Sequence, residues 1–265
     1  MPSTIYAYVN GKFVPETEAR VSIHDRGFLY GHGCFETMRV YDGQIFRVGD
    51  HLARLAEGLT ALRIEALFSP AELTAICRAL IRYNRVTSGV ARIYQTPDSL
   101  IVTVQPREFV PREIRAVVST IRVDPQLSVH KTANRLPYLL AQHEARVAGV
   151  DESVLLGSDG QVVEFSVSNL FVVKDGVLIT PPLTDSPLPG ITRQAVLALA
   201  TELKIPAEQR SFAPSFLDTA DEVFAANSLI EIAPVVTWGR QRAVTIRLQK
   251  AYRELVASEL SKPGP

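Results

Sequence analysis

Few residues of the 265-residue chain combine a chemically useful side chain with an unusual setting, and Lys131 is the first. It stands in VHKTANRLPYLLA (129–141), behind a strand-like run over 114–123 and ahead of an amphipathic segment, so its amine falls at an element boundary. A lysine that is desolvated, or placed beside positive charge, loses its proton near neutral pH and becomes a nucleophile toward carbonyls. Glu164 is the second. It interrupts VVEFSV, a strand of otherwise apolar or small residues, where a carboxylate is expensive to bury unless a cation or an N–H donor meets it. The third feature is the turn Leu188-Pro189-Gly190, which feeds a helix opening at Ile191 and Thr192. The N–H groups there have no earlier turn to bond, and the helix end favours an anion. Ser228, after another strand, can add a hydroxyl, and Arg54 a cation that keeps its proton. A reactive amine, a buried acid and an anion cup are what a pyridoxal-type cofactor demands of a protein, for its aldehyde, its ring nitrogen and its phosphate.

The elements that must carry these groups follow from spacing. Asn10-Gly11 and Asp175-Gly176 supply the positive φ angles of tight hairpins, and Asp42-Gly43 closes an alternating strand that begins at Cys34. Cys34 itself reads as a small strand residue. Gly27, Gly31 and Gly33 do not lead into a helix, so they predict a tight crossing between strands and not a phosphate loop. Leu52, Leu55, Leu59 and Leu62 make one apolar stripe of a helix over 50–62, with Asp50 as N-cap and His51 and Arg54 off the stripe. A second helix over 70–83 follows, then a hairpin over 91–104 around Pro97-Asp98-Ser99. QPREFVPR (105–112) has the composition of an extended linker. The expected division is a small N-terminal domain over 1–106, a linker over 107–112 and a larger cofactor-binding domain over 113–265. In the latter, the pattern predicts a helix over 134–149 with Pro137 in its first turn, strands over 153–156 and 161–166, and a hairpin over 169–180. A helix over 191–203, a strand over 222–226 and a terminal helix over 245–260 complete it. Trp238 reads as packing.

Composition narrows the chemistry. With 46% apolar and 21% charged residues the chain is an ordinary globular protein, and 28 basic against 28 acidic residues leave no electrostatic footprint for nucleic acid or an anionic membrane. A small-molecule amine or amino acid is the expected partner. Two cysteines without CxxC spacing and five histidines without a metal pattern predict no disulfide framework and no metal. No run is long enough to cross a bilayer and no leader pattern opens the chain, so a cytoplasmic location is expected.

Taken together, GHGCFETMRVYDG, FRVGDHLARL, HKTANRL, GQVVEFSVSNLFVVKDGVLITPPL, LPGITR and ADEVFAANSLIEIAPV span most of the chain in order. On these motifs it resembles the fold-type IV pyridoxal-phosphate enzymes, the class IV aminotransferase family. That group includes branched-chain aminotransferases, D-amino-acid aminotransferases and 4-amino-4-deoxychorismate lyases. The resemblance implies an α/β (α+β) fold in two domains, a small N-terminal α/β domain and a larger C-terminal mixed-sheet, barrel-like domain, with the active site between them and a homodimer as the working form. It also implies roles: Lys131 bonded to pyridoxal 5'-phosphate, Glu164 at the pyridine nitrogen, Arg54, Ile191, Thr192 and Ser228 around the phosphate, and Arg135 in the cofactor-binding set. Tyr30, Arg39, Arg92 and Leu229 are the candidates to face substrate.

The branches of the family differ at a few positions. Branched-chain aminotransferases typically carry a tyrosine five positions after the lysine, where this chain has Leu136. Asn227-Ser228-Leu229 stands where transaminases usually have a Ser/Thr-Gly-Thr run. Both departures resemble the lyases, so pyruvate elimination giving 4-aminobenzoate is the favoured expectation and a branched-chain or D-amino-acid aminotransferase the alternative. Gln95-Thr96-Pro97 replaces a Thr-Arg-Gly segment common in the family, and the Arg-x-His carboxylate clamp of D-amino-acid transaminases is not recognisable.

Overall fold

A computed structural model describes residues 4–261. The chain forms two compact units. The first runs to Phe109 and takes back His130–Asn134, and the second holds Val110–Val129 and the chain from Arg135 onward.

The first unit is built on β1 (Tyr6–Val9), β2 (Lys12–Pro15), α1 (Arg26–Tyr30), β3 (Cys34–Tyr41), β4 (Gln44–Ile45), α2 (Val48–Ala61), α3 (Pro70–Tyr83), β5 (Gly89–Gln95) and β6 (Leu100–Pro106). Its strands make one six-stranded sheet in the order β2-β1-β6-β5-β3-β4, antiparallel at every pair. The expected hairpin turns are present: Asn10 and Gly11 have φ of 46° and 93°, Asp42 and Gly43 46° and 75°. One face of the sheet, with Met38, Val40, Ala91, Ile93, Val102 and Val104, is buried under Leu52, Leu55 and Leu59 of α2 and Leu73, Ile76 and Leu80 of α3. Each of these Val, Leu, Ile and Met side chains contributes about 1.5–3 kcal/mol.

Local chemistry sets the helix limits. At α3, Ser69 and Glu72 form a reciprocal capping box with Pro70 in the first turn, which is why its limits match the sequence pattern. At α2 the helix starts earlier than expected, at Val48. Arg47, in the left-handed region at φ 51°, precedes it, and Asp50 lies inside the first turn and does not cap. The glycine-bearing crossing also differs from expectation, because Asp25 accepts from the N–H groups of Gly27 (2.7 Å) and Phe28 (3.2 Å) and nucleates the short helix α1.

The second unit contains β7 (Ala116–Arg122), α4 (Pro125–Ser128), α5 (Leu136–Val147), β8 (Glu152–Leu156), β9 (Val162–Phe165), β10 (Asn169–Lys174), β11 (Val177–Thr180), α6 (Ile191–Glu202), β12 (Ala207–Gln209), β13 (Glu222–Asn227), β14 (Glu231–Gly239) and α7 (Ala243–Leu260). Two βαβ crossovers appear: α5 joins the parallel pair β7 and β8, and α6 joins β11 and β12. The strands form a three-stranded sheet, β7-β8-β9, and a five-stranded sheet, β12-β11-β10-β13-β14. Ile114 links them by exchanging backbone bonds with Pro234 and Val236, both 2.8 Å. Among the described residues neither sheet closes on itself, so the barrel-like expectation is realised as two open mixed sheets around one core of Ile114, Phe165, Leu170, Val172, Val223 and Val235. Glu222 caps α7 by accepting from the N–H groups of Val244 and Thr245 and from the Thr245 hydroxyl. No helix among the described residues is long and apolar enough to cross a membrane.

Candidate active site

In the first unit, Lys131 lies on an extended segment held against the start of β3. Its carbonyl accepts from the Phe35 N–H at 3.0 Å, and the Ala133 N–H donates to Gly33 at 2.8 Å. The segment is therefore positioned by the sheet and not by the helix that follows. The Lys131 Nζ sits 4.7 Å from the centroid of the Phe35 ring, and Phe35 stacks on its cross-strand neighbour Tyr94 at 6.3 Å and 22°. An aromatic face holds an ammonium while offering it less hydration than water does.

Beneath that face, on the buried side of β3, lies Glu36, fully buried and followed two and four residues later by Met38 and Val40. Its carboxylate accepts from Arg54 twice, Nε to Oε1 and Nη2 to Oε2, both at 2.7 Å, and from His51 Nδ1 at 2.7 Å. Burial alone would raise the Glu36 pKa. The Arg54 charge, the hydrogen bonds from His51 and Arg54 and the His51 charge outweigh it and hold the group down at about 2. Burial pushes His51 below its ordinary value against the pull of Glu36, and the Arg54 and Lys131 cations add to the depression. A neutral His51 facing an ionised carboxylate carries its proton on Nδ1.

Arg54 and His51, read from the sequence as lying off the core face, are thus buried. The reason is the inward carboxylate of Glu36, which requires cationic and N–H partners. Sequence spacing contained that signal: Glu36 has the same parity along β3 as Cys34, Met38 and Val40, so it points into the core.

The remaining candidates of this unit have separate settings. The Arg39 guanidinium lies between the rings of Tyr41 and Phe109, 4.5 and 4.1 Å from their centroids. Arg92 is exposed on the same sheet face as Phe35, Thr37 and Arg39. Tyr30 ends α1 and is 74% exposed.

In the second unit, Glu164 lies on β9 and is buried. Its Oε2 accepts from Asn169 Nδ2 at 3.3 Å and from the Leu188 N–H at 3.2 Å. The acid is thereby tied to the turn that opens α6. Asn169 also donates to the Leu188 carbonyl at 2.8 Å, and it lies so close to Gly190 that a Cβ there would collide with Asn169 Oδ1.

The N-cap of α6 is Gly190, which has no side chain to cap it, and the first residues of the helix, Ile191 and Thr192, are buried. The Thr192 Oγ1 is buried without a hydrogen-bond partner among the described residues. Ser228 follows β13 in a turn locked by Asn227. The Asn227 Oδ1 accepts from the N–H groups of Leu229 and Ile230, at 2.8 and 2.9 Å, and its Nδ2 donates to the Val167 carbonyl and Ser168 Oγ.

Arg135 precedes α5, with its Cζ 3.3 Å from the centroid of the Tyr138 ring and its Nη2 donating to the Ser166 carbonyl. Burial lowers its pKa, and the Tyr138 and Glu164 charges oppose that. Burial, followed by the Glu164 charge, pushes the Tyr138 phenol up. Tyr138 carried no sequence signal, because its significance comes from partners on other elements. Leu136, the position compared with the family's tyrosine, is 61% exposed.

A family model for amino-transferase class IV matches residues 33–238. The chain belongs to that family. Among relatives, a candidate branched-chain-amino-acid aminotransferase of Methanocaldococcus jannaschii is 36% identical over 247 residues, covering 86% of each chain. A D-alanine aminotransferase of Listeria monocytogenes is 32% identical, covering 93% of this chain and 94% of its own. The crystal structure of the Escherichia coli branched-chain amino acid aminotransferase superposes with a TM-score of 0.88 at 32% identity, covering 96% and 95% of the two chains. A Legionella pneumophila protein described as a candidate 4-amino-4-deoxychorismate lyase shares the fold, with a TM-score of 0.84 at 24% identity over 90% and 96% of the chains.

Class IV aminotransferases use pyridoxal 5'-phosphate, and this class IV chain is a pyridoxal-phosphate-dependent enzyme. Its residues fit the cofactor: an orphaned buried hydroxyl on Thr192 and a helix start whose N-cap, Gly190, has no side chain to bond it together present donors for a dianion. Among the described residues no group of His, Cys, Asp and Glu is arranged to hold a metal ion.

Proposed function

We propose that the chain is an aminotransferase for amino acids with apolar side chains, of branched-chain or D-amino-acid type. The observation that carries this is the aromatic pair Phe35 and Tyr94 beside the Lys131 ammonium, a surface on which a hydrocarbon side chain packs. The identity of 32–36% to relatives named as branched-chain and D-alanine aminotransferases supports it. The bound cofactor supplies a carbonyl for the substrate amine and an electron-withdrawing heterocycle that holds charge developing at the substrate's amine-bearing carbon.

The protein residues then have these tasks. Lys131 would hold the cofactor through its amine, and the same amine would move the proton of the substrate's amine-bearing carbon. Glu164 keeps a proton at the ring nitrogen, and Asn169 and the Leu188 N–H hold its carboxylate in place. Arg54, Ile191, Thr192 and Ser228 bind the phosphate. Arg135 lies against Tyr138 with the Glu164 charge nearby, which supports a place in the same set. Arg39, Arg92, Tyr30 and Leu229 are the substrate candidates, with Arg39 already fixed between two rings.

A homodimer is part of the proposal. The exposed apolar residues Ile23, Phe28, Leu29 and Tyr30 in one unit, and Leu136, Leu139 and Leu140 on α5 of the other, support a partner surface. Unpaired Cys34 and Cys77 are consistent with a reducing, cytoplasmic setting.

The second reading is 4-amino-4-deoxychorismate lyase, resting on Leu136 and Asn227-Ser228-Leu229. The setting of each position weakens it. Leu136 is exposed at the first position of α5, and Asn227 locks its own turn. One stoichiometric test separates the two. An aminotransferase is converted by leucine or D-alanine alone to the aminated cofactor, and needs a keto acid to turn over. Pyruvate released from aminodeoxychorismate without added keto acid, and no response to either amino acid, would establish the lyase and refute the proposal.

A further inference from the structure

The cluster of Glu36, His51 and Arg54 carries a consequence for cofactor selection. His51 and Arg54 lie three residues apart on α2, so both face the same point of the sheet, and that point is the carboxylate of Glu36. The two-point fork from Nε and Nη2 fixes the plane of the guanidinium, which a single bond would leave free to rotate. The His51 Nδ1–H bonds the same oxygen as Arg54 Nη2, so it fixes the carboxylate in turn. Glu36 is fully buried, and His51 and Arg54 are 1% and 9% exposed. The loss of rotamer freedom of a long arginine is therefore incurred when the chain folds and not when an anion arrives.

We propose that Glu36 and His51 are positioning residues for the cofactor phosphate: they hold the Arg54 guanidinium in one orientation before the cofactor binds. The inference rests on the reading that Arg54 receives the phosphate. Neither residue carried a functional signal in the sequence, and each acts through Arg54.

The experiment compares pyridoxal 5'-phosphate with pyridoxal, which lacks the phosphate, by spectroscopic titration of the full-length protein resolved of cofactor. Glu36→Gln keeps the side-chain shape but turns one acceptor into a donor against Arg54. It is expected to weaken pyridoxal 5'-phosphate binding about tenfold while changing pyridoxal binding less than twofold. Glu36→Asp, which restores the carboxylate, should recover part of the loss. If Glu36→Gln does not fold, His51→Ala is read in its place. It leaves the fork standing, and a loss of about threefold confined to the phosphorylated ligand is expected.

Equal loss for both ligands, or no loss, overturns the inference. Arg54→Gln separates the two levels. If it leaves the preference for the phosphorylated ligand intact, the phosphate reading itself falls. If it abolishes the preference while Glu36→Gln and His51→Ala do not, only the positioning role falls.

Discussion

Glu152 gives the sharpest stability prediction. It is buried on β8, where its carboxyl accepts from Ser166 Oγ at 2.7 Å and Ser168 Oγ at 3.4 Å. Burial raises its pKa from 4.5 to about 7, against the bonds from Ser166, the Val167 N–H and Ser168 and the more distant charge of Arg112. A group raised in the folded state stabilises the fold fully below its unfolded value, and that contribution is lost as pH climbs through the folded value. The window is therefore pH 4.5 to about 7 and the sign is loss of stability with rising pH.

At roughly 1.4 kcal/mol per pH unit the full effect is on the order of 3 kcal/mol, or roughly 6–12 °C in melting temperature for a chain of this size. Glu152→Gln mimics the protonated form at every pH and should remove this slope. Calorimetric melts between pH 5 and pH 8, read as variant minus wild type, isolate it, because His51 titrates with the opposite sign in both proteins. Its depressed pKa makes rising pH stabilising through its ordinary value of 6.5. A variant that gains on wild type toward pH 8 supports the reasoning. A difference that is flat across the range, or that falls, refutes it.

Other outcomes follow from the proposed phosphate site. Thr192→Val removes a buried hydroxyl that has no partner among the described residues, so the cofactor-free protein should become more stable by about 1 kcal/mol while affinity for pyridoxal 5'-phosphate falls several-fold, as thermal melts and titration will read. Gly190→Ala drives a Cβ into Asn169 Oδ1 and should lower cofactor affinity and cost about 1–3 kcal/mol of stability. Glu36→Gln leaves Arg54 buried without its carboxylate and should cost about 3–5 kcal/mol in denaturant unfolding at pH 7. Because Glu36 is held down at about 2, the wild-type advantage over that variant is present above pH 4.5 and disappears as pH falls toward 2.

What the sequence made legible was what neighbours along the chain decide. The turns Asn10-Gly11, Asp42-Gly43 and Asp175-Gly176 adopt the positive φ angles their residue types favour. α3 keeps its expected limits because Ser69, Pro70 and Glu72 specify its start locally. Motif order alone was enough for the family. Less legible was whatever depends on a partner far along the chain. The burial of Arg54 follows from Glu36, eighteen residues earlier and on another element. Tyr138 matters because Arg135 and Glu164 lie near it, and Glu152 because the 166–168 turn folds over it. The Asn227 departure, read from the sequence as a mark of reaction type, is occupied in locking a turn, a role visible only once Val167 and Ser168 are placed beside it.

Lys131 is proposed as the residue covalently joined to the cofactor, and borohydride reduction of the holoenzyme followed by peptide mapping tests that assignment. One pyridoxyl label per chain is expected, on Lys131 within the peptide containing HKTANR, and it should disappear in Lys131→Ala. A label on another lysine, or label retained in that variant, would contradict it.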